Sequence, residues 1–146
     1  MYESNIVAID HLFNQVIKLW TKRKKQVLDN CGLTHSQFEI LSAIYHFTVS
    51  RQEIIQIDLS EKTGIDPMTT STILRNLEKK QFVTRMRGTE NTRVVYIKLT
   101  AEGIDVYKCA FSSISEMNNS LYCRVNRNNL VKQLRLLSDE LCKINN

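Results

Sequence analysis

Between Leu59 and Thr100 the sequence reads LSEKTGIDPMTTSTILRNLEKKQFVTRMRGTENTRVVYIKLT, and no other stretch leaves the chain so few ways to fold. Leu59 to Thr63 suits a short helix, and Gly64 is free to take the left-handed conformation that ends one. Asp66 then offers a side-chain oxygen to cap a second helix. Pro67 stands at that helix's first position, where no N–H is needed. Two helices joined by about three or four residues with a glycine make a helix-turn-helix.

On a helical wheel, Thr70, Ile73, Leu74 and Leu77 fall on one face of the second helix, and that face must be buried. The opposite face carries Met68, Ser71, Thr72, Arg75 and Lys79. A solvated helix surface looks much the same. Hydroxyls, a methionine and cations together also suit base edges and phosphates in a major groove. What comes next in the sequence favours the second reading.

Phe82 to Arg87 alternates, with Phe82, Thr84 and Met86 set against Val83, Arg85 and Arg87. Val94 to Leu99 alternates too, and the polar stretch Gly88–Arg93 separates the two. Period-two alternation with β-branched residues marks strands, so this is a hairpin with a cationic tip. A helix-turn-helix followed directly by such a hairpin is a winged helix, whose arginines can reach phosphates or a minor groove.

LTHSQFEIL at Leu33–Leu41, DLSEKTGID at Asp58–Asp66, LEKKQFV at Leu77–Val83 and NTRVVYIKLTAEG at Asn91–Gly103 stand in an order and spacing that resembles the MarR family of bacterial transcription regulators. The resemblance runs over nearly the whole chain, long flanking helices included. The family's wing carries Asp-x-Arg, in which the acid braces the arginine; here it is Asn91-Thr92-Arg93, with a neutral brace. The family has glycine after LEKK, and here Gln81 stands there. A positive φ at Gln81 would cost on the order of 1 kcal/mol.

Charge gathers on the same segment. From Gly64 to Lys98 there are seven cations (Arg75, Lys79, Lys80, Arg85, Arg87, Arg93, Lys98) against three anions (Asp66, Glu78, Glu90), so +4 of the chain's formal +5 lies there. That suits nucleic acid without proving it. Few glycines and one proline argue against a loop-rich all-β fold. Ile6–Trp20 is broken by polar residues and is no signal sequence, and no apolar run approaches the length of a membrane span. The expected location is cytoplasmic, with no membrane partner. Cys31, Cys109, Cys123 and Cys142 are widely spaced, with no zinc pattern. In a reducing compartment they read as small buried hydrophobes, with cysteine-based redox sensing as the alternative.

Around the core segment, Ile6, Ile9, Phe13, Val16, Ile17 and Trp20 recur at helical spacing, in a helix that passes the basic cluster Lys22–Lys25 and stops near Gly32. The basic cluster reads as a solvated helix end. Thr34 or Ser36 caps the next helix, whose apolar face is Phe38, Leu41, Ile44 and Tyr45, closing at His46 and Phe47. Arg51–Gln56 is a loop or a short strand, and Ile54–Ile57 could join the wing as a third member. The helix from about Ile57 has no obvious cap. Thr100 caps a long helix lined by Ile104, Tyr107, Phe111, Ile114 and Met117 or Leu121. After a polar break at Arg124–Asn129, Leu130, Leu134, Leu137, Leu141 and Ile144 form a heptad seam.

The chain thus reads as mainly α with a small antiparallel β wing. Residues 1–32 form an N-terminal dimerisation helix, 33–100 a winged helix-turn-helix DNA-binding domain, and 101–146 C-terminal dimerisation helices. His11, His35 and His46 sit in no catalytic spacing, and no phosphate-binding or hydrolase pattern occurs, so no enzyme activity, metal or cofactor is expected. The function expected is a homodimeric, sequence-specific regulator of transcription, acting as a repressor on a pseudo-palindromic operator in double-stranded DNA. Met68, Ser71, Thr72 and Arg75 are the base-reading candidates. Lys79, Arg85 and Arg87 are the phosphate candidates, and Arg93 is the wing contact. The resemblance further implies release by a small aromatic effector, with His11, Phe13, Tyr45 and Tyr107 as pocket candidates. A winged helix used only for protein contact is the alternative from another class.

Overall fold

A computed structural model describes residues 2–50 and 52–144; Met1, Arg51, Asn145 and Asn146 lie outside the described residues. The elements are α1 (Tyr2–Asp29), α2 (His35–Val49), α3 (Gln56–Thr63), α4 (Pro67–Lys79), β1 (Val83–Arg87), β2 (Val95–Leu99), α5 (Ala101–Leu121) and α6 (Arg127–Ile144). They fall into two compact units, residues 1–114 and 115–146.

In the first unit one apolar core joins the end of α1, α2, the helix-turn-helix, the wing and the first half of α5. Leu28, Ile40, Leu41, Ile44, Leu59, Leu74, Leu77, Val83 and Ile97 are fully buried or nearly so, with Tyr107, Ala110 and Ile114 from α5. On α5 the buried residues are Gly103, Tyr107, Ala110, Ile114 and Met117, whereas Phe111 is 52% exposed. Tyr107, Ile114 and Met117 lie on the expected stripe, and the departure is at its middle: the small Ala110 is buried in place of Phe111, which makes a ring contact with Tyr107 at 5.9 Å. The basic cluster behaves as expected except at Lys24, whose ammonium lies 4.7 Å over the Trp20 ring and 5.7 Å over Phe38. Burial lowers its pKa, and Glu39 pulls the other way.

Two helices end in the same way. After α1, Leu33 N–H donates to Leu28 O and Gly32 N–H to Asp29 O, with Gly32 at φ +67°. After α4, Phe82 N–H donates to Leu77 O and Gln81 N–H to Glu78 O, with Gln81 at φ +62°. Both are Schellman ends, which need a left-handed residue at one fixed place. Gln81 keeps the positive φ, as the missing glycine implied.

The caps are equally local. Thr34, not Ser36, opens α2: its hydroxyl accepts from Gln37 N–H, and the Gln37 side chain accepts from Thr34 N–H. α2 runs on to Val49, past the expected close at Phe47. α3 starts at Gln56 without a side-chain cap on its first residue, but Asp58 Oδ2 reaches back to Ile55 N–H at 3.1 Å. Because α3 starts there, the expected third strand shrinks to one bridge, Ile55 with Tyr96, and one bond from Ile97 N–H to Ile54 O. Arg51, where that stretch begins, is outside the described residues.

The wing is antiparallel, pairing Val83 with Leu99, Arg85 with Ile97 and Arg87 with Val95. Phe82 and Val94 flank the strands, since their N–H groups bond to Leu77 O and Asn91 O instead of the ladder. Thr100 caps α5 by accepting from Gly103 N–H and also donates to Gln81 O at 2.6 Å. Gly103 lies so close to the wing's base that a Cβ there would meet Phe82 O at 1.9 Å.

The second unit holds the end of α5 and α6. Leu134, Leu137, Leu141 and Ile144 of the heptad seam are all exposed, and no described residue of α6 is buried. On α1, Ile6, Ile9, Phe13, Val16 and Ile17 are likewise exposed. No described helix is long and apolar enough to cross a membrane.

Candidate nucleic-acid interface

The turn between α3 and α4 is built from hydroxyls and one glycine. Gly64 takes φ +70°, and no heavy atom lies within 4 Å of a Cβ placed there. Its backbone conformation alone therefore accounts for the glycine. Ser60 Oγ and Thr70 Oγ1 both donate to Ile65 O, at 2.6 and 3.2 Å, using both lone pairs of one carbonyl. Thr70 is fully buried, so its hydroxyl has to be satisfied internally, and that bond holds the turn against α4. Asp66 Oδ1 accepts from Thr69 N–H at 2.9 Å, and Pro67 follows at the first helical position. The Thr69 hydroxyl, and then its N–H, hold the Asp66 carboxyl below the usual carboxylate range.

With Thr70, Ile73, Leu74 and Leu77 buried, α4 turns its other face outward. Met68 is 82% exposed; Thr72, Arg75 and Lys79 are exposed, and Ser71 is half-buried. Thr72 donates to Met68 O at 3.1 Å, and Arg75 Nη2 donates to Ser71 Oγ at 3.1 Å. These are single bonds within one helix. They leave the Arg75 guanidinium most of its donors, in the fork geometry that reads a guanine edge or a phosphate. Lys79 stays in solvent, whereas its neighbour Lys80 donates to Gly32 O at 2.7 Å and ties α4 to the α1–α2 turn.

The wing supplies further cations. Arg87 and Arg93 are exposed. Gly88 N–H donates to Val94 O at 2.9 Å to close the loop, and a Cβ on Gly88 would meet Asn91 O at 2.6 Å. Asn91 Oδ1 accepts from Arg93 N–H at 3.1 Å, so the brace expected of an acid is made here by an amide.

Arg85 is placed otherwise than as a free phosphate contact. Its strand position puts it on the same side as Val83 and Ile97, facing inward. There Nη2 donates to Gln56 Oε1 at 3.2 Å and Nη1 lies 3.6 Å from Glu78 Oε2, with the side chain only 20% exposed. It joins α3, α4 and β1. Gln56 and Glu78 were not singled out in the sequence. The signal for them was the alternation itself, which already set Arg85 beside Val83.

Of the pocket candidates, Tyr45 and Tyr107 are neighbours, with ring centroids 4.6 Å apart. Tyr107 is buried in the core, and Tyr45 is half-exposed at its edge. His11 and Phe13 are exposed on α1, and His11 lines a shallow cavity with Asn14, Gln15, Lys18 and Leu19. The structure brings the tyrosines together and does not bring the four candidates into one pocket. Among the described residues no group of histidine, cysteine or carboxylate side chains could hold a metal ion.

A capped helix lying with an exposed polar face beside an arginine-bearing β-hairpin defines a winged helix-turn-helix protein. Residues 33–95, from the start of α2 into the wing, match the model of the MarR family, and the chain carries that family's domain. It is 29% identical over 115 residues to the uncharacterised HTH-type transcriptional regulator YdgJ of Bacillus subtilis, covering 79% of this chain and 65% of that one. It is 34% identical over 103 residues to the HTH-type transcriptional regulator SarZ of Staphylococcus haemolyticus, covering 70% and 63%. The chain thus spans slightly less than two thirds of the length of each. Its fold is that of Staphylococcus aureus MepR in a DNA complex, with a TM-score of 0.79 at 24% identity, over 92% of this chain and 96% of that one.

Proposed function

We propose that this protein is a homodimeric, sequence-specific DNA-binding regulator of transcription that represses a nearby promoter. The observation that carries the reading is the outward face of α4: Met68, Thr72, Arg75 and Lys79 exposed over a fully buried opposite face, with Arg87 and Arg93 exposed on the adjoining wing. The regulator names of its relatives and the DNA complex of MepR support it. In this reading α4 enters a major groove, Met68, Ser71, Thr72 and Arg75 meet base edges, and Lys79 and Arg87 meet phosphates. Arg93 reaches the minor groove or its backbone, and Arg85 braces the reading helix against the wing without touching DNA.

The exposed apolar faces of α1 and of α6 supply the dimer contact, since an isolated chain would leave both in water. Two such helices on a two-fold axis reach successive major grooves, about 34 Å apart, and so read a pseudo-palindrome. A small aromatic effector would act through the exposed edge of Tyr45 on Tyr107 and change the spacing of the two reading helices.

Salt-dependent binding to a selected operator and to random DNA tests the reading. Arg75→Ala is expected to cost about 1–3 kcal/mol on the operator and to relax one base pair per half-site. Arg93→Ala is expected to weaken both DNAs alike and to flatten the salt slope. If both variants fold, dimerise and bind as the parent does, this surface does not bind DNA, and the winged helix serves protein contact instead.

A further inference from the structure

The alternation of β1 sends every second side chain inward. Val83 on β1 and Ile97 on β2 occupy such places and are almost fully buried, and Arg85, paired with Ile97, takes the same side. A guanidinium set there has to be met by the protein itself. Two groups far apart in the chain meet it. Nη2 donates to Oε1 of Gln56, the first residue of α3, at 3.2 Å. Nη1 lies 3.6 Å from Oε2 of Glu78, in the last turn of α4. The Nε N–H is buried and finds no acceptor among the described residues.

As a source of stability this arrangement is weak. One bond goes to a neutral amide. The ion pair is longer than the ~2.7–2.9 Å of a good charge-assisted bond, and one buried donor is unmet. An apolar side chain in place of a buried ion pair is often neutral or stabilising. What the guanidinium alone supplies is a fixed junction of three elements. The start of α3 is also held to β2 one residue earlier, by the bridge between Ile55 and Tyr96. α4 turns into β1 through the left-handed Gln81, and β1 runs on into the loop that carries Arg93. A displacement of that loop is therefore passed, through Arg85, to the start of α3 and the end of α4.

We propose that Arg85 is a positioning residue that couples the wing contact to base reading, by holding α4 at one tilt through Gln56 and Glu78 while the wing is seated on DNA. The inference rests on the DNA reading above. It adds that part of the sequence preference arises at a residue that touches no base. With the wing seated, β1 is fixed, Arg85 fixes the end of α4, and Arg75 meets its base edge in a single geometry. With the wing unseated, α4 is held less closely and Arg75 contributes less. Loss of either contact thus lowers what the other contributes.

Fluorescence anisotropy at several salt concentrations tests the proposal, on an operator selected from random DNA by the wild-type protein and on a duplex of scrambled sequence. Arg75→Ala, Arg93→Ala and the double variant are compared with Arg85 intact and in an Arg85→Met background, which fills the inward place with an apolar side chain. With Arg85 intact, the double variant should lose about fivefold less affinity than the product of the two single losses. In the Arg85→Met background the losses should multiply to within about twofold. Arg85→Met alone should lower the preference for operator over scrambled DNA about tenfold. It should leave the salt slope unchanged, whereas loss of a phosphate contact would flatten it. Glu78→Gln changes a side chain that is 42% exposed, and it serves if Arg85→Met does not fold; it should reduce the coupling in the same direction. Losses that multiply with Arg85 intact, coupling that survives in either folded background, or a flatter salt slope in Arg85→Met would each overturn the inference. If Arg75→Ala and Arg93→Ala each bind as the parent does, the DNA reading itself falls, and the coupling falls with it.

Discussion

Gln81→Gly should make this protein more stable, although it removes a side chain and adds nothing. Gln81 sits at φ +62° because Phe82 N–H must reach Leu77 O and Gln81 N–H must reach Glu78 O to close α4 and turn into β1. A residue with a Cβ loses about 1–2 kcal/mol in this conformation. Glycine avoids that loss but raises the entropy of the unfolded chain by about 0.4–1 kcal/mol. The net gain is about 0.5–1 kcal/mol, or roughly 1–4 °C in melting temperature for a chain of this size. The Gln81 side chain is exposed, and the bond from Thr100 Oγ1 uses its carbonyl, which glycine keeps. Urea denaturation at fixed protein concentration measures the change, because subunit association would otherwise shift the midpoint. The midpoint should rise with the slope unchanged. Gly32→Gln is the reverse experiment. Gly32 has the same bonds at φ +67° and open space around its Cβ position, so it should lose a similar amount. A Gln81→Gly variant with an unmoved or lower midpoint, or a neutral Gly32→Gln, would refute the argument that backbone conformation sets the stability of these two ends.

Gly103→Ala should destabilise the fold by about 3 kcal/mol in the same assay, because the new Cβ would meet Phe82 O at 1.9 Å and helix α5 would have to lift off the wing. Leu137→Glu should shift light scattering at micromolar concentration from a dimer toward the 17.0 kDa chain, since it places a charge in the α6 seam; an unchanged dimer would remove α6 from the interface. The Asp66 carboxyl is depressed in the folded state, so its stabilisation is present above the ordinary carboxylate pKa and is lost as pH falls through the lower folded value. Asp66→Ala should therefore lower stability at neutral pH and make the acid limb of the stability–pH curve shallower. An acid limb of unchanged steepness would show that other carboxylates account for it.

Local chemistry was the legible part. The caps at Asp66 and Thr100, the helix stop at Gly32, the left-handed turn at Gly64 and the buried face of α4 each depend on a few adjacent residues and stand where the sequence puts them, and Thr34 takes the cap that the sequence left open between it and Ser36. What escaped depends on residues far apart. The Gly103 contact involves the backbone of Phe82, and nothing in TAEG announces it. Ala110 in place of Phe111 on the α5 stripe follows from close packing, whereas a wheel drawn from hydropathy favours the larger ring. The Ile54–Ile57 strand failed because Asp58, read only as part of α3, takes the Ile55 N–H and starts the helix early. Arg85 was counted by its charge, although its strand parity already placed it inward beside Val83.

Asn91 shows how a departure from a family pattern can keep geometry and change electrostatics. An acid at this place would do two things: accept the Arg93 N–H, which shapes the loop, and set a negative charge near the guanidinium. Asn91 Oδ1 still accepts that N–H at 3.1 Å, and Gly88 still closes the loop on Val94. The shape is retained and the negative charge is gone. A nearby carboxylate would compete with phosphate for the arginine, and in solvent such a pair offers little stability of its own. Without it no carboxylate at position 91 competes for the Arg93 guanidinium, on a segment that carries seven cations against three anions. The departure from Asp-x-Arg therefore keeps the loop bond and removes one negative charge from the wing. Asn91→Asp should keep the fold and lower the affinity for random DNA, with the largest difference at low salt, where the added charge is least screened.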